Sequence, residues 1–187
     1  MTFRSSVFVA AAALLMLVCQ PSATNAAVLF NVGLPRTGTT SVHRAIPLLN
    51  FTSNHVAFNT SRFDLEKRMG NLMREFRESG QGPLRTLFDQ FDAFSDTPAY
   101  GLIGVMHKHM PWVKMVATSR SKESWLDSMR RNPHAGGEFL IKQAGLLKGL
   151  DKSGLTRPQI LETLYDNHAR MLEKFSIPKI DIQVKTR

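Results

Sequence analysis

Cysteine is all but missing. Cys19 is the single example in 187 residues, and it falls in a leading segment, residues 1–26, that reads as a targeting peptide and not as part of a fold. The rest of the chain, residues 27–187, therefore has no disulfide, no thiol nucleophile and no cysteine zinc site. Long apolar runs are scarce too. The best of them, Val7 to Val18, has twelve residues, short of the about 20 that span a bilayer as a helix. Arg4 precedes it, and Gln20, Pro21 and the stretch Ser22-Ala23-Thr24-Asn25-Ala26 follow. Basic start, apolar centre and small-residue exit are the order of a signal peptide. Cleavage after Ala26 is expected, with an uncleaved type II membrane anchor as the alternative, and the expected location is the Golgi lumen or the outside of the cell. No block of five basic residues, no internal repeat and no low-complexity tract occurs. Acidic residues are outnumbered, 15 against 24 Lys and Arg, for a net charge of +9. That balance suits an acidic partner, and nucleic acid, an anionic nucleotide or a sulfated or carboxylated glycan satisfies it equally well. Two sequons, Asn50-Phe51-Thr52 and Asn59-Thr60-Ser61, are candidate glycosylation sites in a secretory chain.

What is present centres on Val28 to Ile46. Val28, Leu29, Phe30 and Val32 form an apolar run suited to a buried strand. Gly33 and Gly38 bracket a loop, and Thr39, Thr40 and Ser41 open a helix. Backbone N–H groups at a helix start lack intrahelical partners and favour negative charge, so the loop is a cradle for phosphate or sulfate. The two glycines have the Walker spacing, but Thr39 and Thr40 stand where a nucleotide triphosphatase needs Lys and Ser or Thr. The cation is Arg36 instead, a forked, permanently charged donor. Further on, Lys114 to Thr118 reads as a second buried strand, with Arg120 just past its end and Ser128 eight residues later in a helix.

Helices are expected from Thr39 to about Leu49, from Ser61 to Gly80, from Ala99 to about His109, after Ser121, from Glu138 to Leu150, and from Pro158 to Phe175. Residues 50–60 look irregular, Leu84 to Phe94 looks like a short helix or turn, and Lys179 to Val184 alternates like a strand. Strands separated by helices imply an α/β fold, a P-loop-type, doubly wound, mostly parallel sheet flanked by helices, with ligands at the carboxyl ends of the strands. His107 and His109 flank Lys108 and read as exposed helix-end residues, and His43 and His168 as structural ones.

Gly33 to Ser41, GLPRTGTTS, resembles the 5′-phosphosulfate loop of the sulfotransferases, which draw on 3′-phosphoadenosine 5′-phosphosulfate (PAPS), and within them the branch reading Pro-Arg-Thr-Gly-Thr-Thr-Ser. The run VATSRSKESWLDSM, with Arg120, Trp125 and Ser128, is similar to the family's 3′-phosphate segment. The resemblance implies a co-substrate, PAPS, held by Pro35, Arg36, Thr37, Gly38, Thr39, Thr40 and Ser41 at one end and by Arg120 and Ser128 at the other. It implies Arg36 as the charge-stabilising group and, as general base, Asp96, which lies 24 residues before Arg120 and just ahead of a proline. A helix N-cap is the competing role for Asp96. The scheme calls for no metal and no nucleic acid, and for an acceptor hydroxyl or amine, with acidic glycans or protein side chains in view. The resemblance runs from Val28 to about Ile182. Family members commonly continue with a further helix and basic residues, which makes C-terminal shortening the expectation here. A non-catalytic anion- or nucleotide-binding protein on the same fold is the second reading, and a P-loop kinase or triphosphatase a third.

Overall fold

Three consecutive buried residues make strand β1, Leu29–Asn31, the centre of the sheet. The structure is a computed structural model that describes residues 29–55, 72–96, 98–131 and 154–181. Strand β1 pairs in parallel on one side with β3, Ala93–Ser95, and on the other with β4, Lys114–Ser119, so that Phe30 lies beside both Phe94 and Met115. Strand β2, Ser53–His55, adds to β3, and β5, Lys179–Asp181, adds to β4. The five strands run parallel in the order β2-β3-β1-β4-β5.

Side chains alternate across a strand, and β1 shows what each face packs against. Phe30 enters a core with Phe76, Phe88, Phe94 and Met106, where the Phe30 and Phe88 rings meet edge-to-face at 4.8 Å. Leu29 points the other way, to Val42, Ile46 and Val116. Both faces are covered, as a parallel sheet requires. Helix α1, Thr39–Ala45, supplies Val42 and runs on as a 3-10 turn, Ile46–Leu49. Residues 72–79 form helix α2, Pro83–Phe88 helix α3, Ile103–His109 helix α4 and Lys122–Arg131 helix α5. Helix α6, Arg157–Lys174, begins at a capping box of Thr156 and Gln159 with Pro158 in its first turn. A third apolar cluster, with Leu34, Tyr100, Trp125, Met129 and Leu164, lies under the loop after β1 and holds α5 and α6 against it.

The structure differs from the sequence expectation at several elements. Residues 53–55 and 93–95 are strands, where irregular chain and a helix or turn were expected. Three residues are too few to display a period of two, and Ser-Asn-His has no β-former in it. The segment after Asp96 is a 3-10 turn, Ala99–Gly101, followed by α4, and not one helix. His109 is packed, not exposed: a Cβ on Gly80 would come within 2.5 Å of its ring. The leading segment, the helix start at Ser61, the helix Glu138–Leu150 and the residues after Asp181 lie outside the described residues. Among the described residues no helix is long and apolar enough to cross a membrane.

Candidate active site

Strand β1 sits where the connections change direction, with β3 to one side and β4 to the other, so its carboxyl end opens a crevice. The loop after β1 fills that crevice and is clamped from below. Asn31 Oδ1 accepts from the Gly33 and Thr118 N–H groups, both at 3.1 Å, and Thr118 Oγ1 lies 2.8 Å from Thr37 Oγ1. Gly33 is glycine because of this closeness: a Cβ there would stand 2.3 Å from Thr118 Oγ1 and 2.6 Å from the Thr118 carbonyl oxygen. From above, the fully buried Trp125 of α5 donates its indole N–H to the Pro35 carbonyl at 2.8 Å. From α6, His168 Nε2 donates to the Val32 carbonyl at 2.8 Å.

With its flanks fixed, the loop turns through two left-handed residues, Arg36 at φ +70° and Gly38 at φ +99°. An arginine held there costs on the order of 1–3 kcal/mol and persists because its surroundings over-determine it. Its side chain emerges exposed, with Nε 3.3 Å from Ser128 Oγ on α5. Residues 92 positions apart in sequence thus meet directly. Arg120, at the end of β4, completes the group. Burial lowers its guanidinium from the usual value, and Arg36 and then Arg131 push the same way. Its Nε is buried with no hydrogen-bond partner among the described residues, while its backbone carbonyl accepts from the Tyr165 hydroxyl of α6. A desolvated cation repelled by two others and short of an acceptor is what an anionic ligand relieves.

The loop's own donors divide. The Thr37 N–H is spent on the Leu34 carbonyl and its hydroxyl on Leu34 and Thr118, so Thr37 faces the interior; the Ser41 N–H bonds the Gly38 carbonyl. Gly38, Thr39 and Thr40 lie between these two bonded donors.

Asp96 lies across the crevice at the end of β3, at φ +77° and 8% exposed. The N-cap residue of the 3-10 turn that follows is Pro98. The Asp96 carboxylate faces His55, with Oδ2 3.3 Å from Nε2. The same nitrogen lies 3.4 Å from the hydroxyls of Thr39 and Thr40, so His55 bridges the candidate base and the loop's helix. Burial pushes the His55 imidazole down, to about 4, against a backbone hydrogen bond that raises it. His43 on α1 is bonded to Ser53 at 2.7 Å, and burial and then His55 lower it as well. His55 carried no sequence signal, since its strand is three polar residues and its partners are distant in the chain.

A group of cations, a strained loop and a buried carboxylate now stand at the carboxyl end of the sheet. A family model described as a sulfotransferase domain matches residues 28–175. The chain belongs to the sulfotransferase family. Its five-stranded parallel sheet with flanking helices agrees with that assignment. A sequence relative, "Ava biosynthesis cluster protein M" of Aspergillus versicolor, is 33% identical over 106 residues, covering 53% of this chain. The match spans 40% of that relative's length. Among the described residues no group of three His, Asp, Glu or Cys side chains gathers at metal-binding distances.

Proposed function

We propose that this protein transfers a sulfuryl group from PAPS to a hydroxyl or amine acceptor, in the class of glycans or protein side chains, within the secretory pathway. The observation that carries the donor reading is the meeting of Arg36, Ser128 and Arg120, with the buried Arg120 Nε lacking a partner among the described residues. PAPS bears two anionic ends, and bound here it supplies the sulfuryl group. Arg120 and Ser128 receive the 3′-phosphate as fork and hydroxyl. The loop from Pro35 to Ser41 wraps the 5′ end, chiefly through the Gly38, Thr39 and Thr40 backbone and the threonine hydroxyls, with Thr37 acting from inside to hold the loop's shape.

Arg36 neutralises charge growing on the oxygen that links sulfur to phosphorus as that bond breaks. Asp96 takes the acceptor's proton as the acceptor oxygen or nitrogen bonds to sulfur, and PAP leaves with the electron pair. His55 fixes the Asp96 carboxylate beside the loop. The low proton affinity that burial imposes on the imidazole favours its neutral form and leaves the carboxylate as acceptor. Secretory routing is supported by the order of residues 1–26.

Transfer of label from sulfur-labelled PAPS to a panel of glycans and proteins tests the reading. Asp96→Asn is expected to lower kcat by about 10²–10⁴-fold with PAP affinity kept, and Arg36→Ala to lower it with weaker donor binding. Unchanged turnover in either variant would contradict the assigned roles.

A further inference from the structure

Away from the loop, a concavity of about 910 Å³ opens between helix α2, the turn at Tyr100 and Gly101, helix α4 and helix α6. That is the volume of a site for an organic ligand, roughly 300–1,000 Å³. Arg74, Arg77, Lys108, Arg170 and Lys174 line it, against the single carboxylate of Glu78. These cations come from three helices, so they are not one helix's solvated stripe; gathered in one hollow, they focus positive potential on whatever enters. Between them the wall is apolar, with Ile103 and Met171.

Arg77 sharpens the case. It is half-buried, burial lowers its guanidinium, and its hydrogen bond goes to the neutral Gly101 carbonyl at 3.4 Å. Among the described residues no carboxylate pairs with it. A partly desolvated guanidinium on one long neutral bond is improved by an anion. Two of its lining residues connect it to the candidate site. Tyr100 and Gly101 belong to the turn that starts at Asp96, whose carbonyl accepts the Ala99 N–H at 2.9 Å, and Tyr100 packs in one cluster with Leu34 of the loop.

We infer that this concavity receives the acceptor, and that the acceptor is an anion carrying a carboxylate or sulfate beside the group that is sulfated. The inference rests on the PAPS-dependent reading above. An acidic oligosaccharide and an aryl carboxylate share the required chemistry.

The test is calorimetric titration of the full chain, saturated with PAP, using a heparin-derived tetrasaccharide, 6-hydroxy-2-naphthoate and uncharged 2-naphthol. The proteins are wild type, Arg77→Gln and the double variant Arg74→Glu/Lys108→Glu, whose two sites are exposed. At least one anionic probe is expected to bind, with 2-naphthol about tenfold weaker, and each variant to lose about tenfold in anion affinity while PAP affinity stays within about twofold. Preference for the tetrasaccharide assigns the oligosaccharide source and preference for the naphthoate the aryl acid, and either supports the inference. Binding of neither anion, or anion affinity unmoved in both variants while PAP binds, overturns the groove alone. Absence of PAP binding by the wild type overturns the donor reading, and the acceptor role with it.

Discussion

Arg120 has a buried Nε without a partner among the described residues and two arginines repelling it, and Ser128, which is bonded to one of them, Arg36, was visible in the sequence as a spacing of eight. Spacing reveals such residues because a strand end and the next helix turns lie in one crevice. His55, Tyr165 and Asn31 were not legible, because each has a partner far off in the chain, Thr39, Arg120 and Thr118 at 16, 45 and 87 positions, and no motif of its own. Gly33 was legible as a loop glycine, but its reason was not: its backbone is not in the left-handed region, and what excludes a side chain is the Thr118 backbone and hydroxyl. Gly33→Ala is therefore expected to cost roughly 1–3 kcal/mol or more from overpacking, checked by urea denaturation. His168 gives a pH signature. Burial, opposed by its bond to Val32, pushes its pKa down to about 4. The folded state then binds fewer protons than the unfolded chain between about pH 4 and 6.5, so its contribution is present above pH 6.5 and is lost as pH falls toward 4. The full effect is about 3 kcal/mol. Denaturation midpoints across that window are expected to fall with pH in the wild type and to fall less in His168→Gln.

Trp125 shows how a helix can hold a loop it does not touch in sequence. Helix α5 follows β4, packs on Leu34 and Leu164, and sends its indole N–H to the Pro35 carbonyl. The side chain is fully buried in packing, and its polar tip adds the loop anchor. Trp125→Phe keeps most of the apolar contact and leaves a buried carbonyl without that donor, which costs about 1–3 kcal/mol. Thermal melts are expected to drop, and PAP affinity with them, since the loop loses its upper tie; a melt shift without any change in PAP affinity would separate the anchor from the site. The longer elements, β4, α5 and α6, were legible because each offers enough residues for a period and, for α6, a start signal at Pro158. Strands β2 and β3 were not. Their three-residue ladders are held by flanking strands and not by side-chain preference, and β3 seats Phe94 in an aromatic cluster that reads equally well as helix. Their loss from the sequence reading mattered, because β2 and β3 deliver His55 and Asp96 to the crevice.

The whole chain carries a net charge of +9, and the fold gives that excess an address. Arg36, Arg120 and Arg131 lie together at the carboxyl end of the sheet, and a second set lines the hollow beside α6. Anion binding should stabilise the fold by linkage, and melting temperature is expected to rise with PAP concentration. The central claim is that Arg120 meets the 3′-phosphate of PAPS. Calorimetric titration of wild type and Arg120→Ala with PAPS, and with adenosine 5′-phosphosulfate, which lacks that phosphate, isolates the contact. The account predicts that Arg120→Ala weakens PAPS by about 10- to 100-fold and adenosine 5′-phosphosulfate by less than about threefold. Equal losses for the two ligands, or no loss for PAPS, would contradict it.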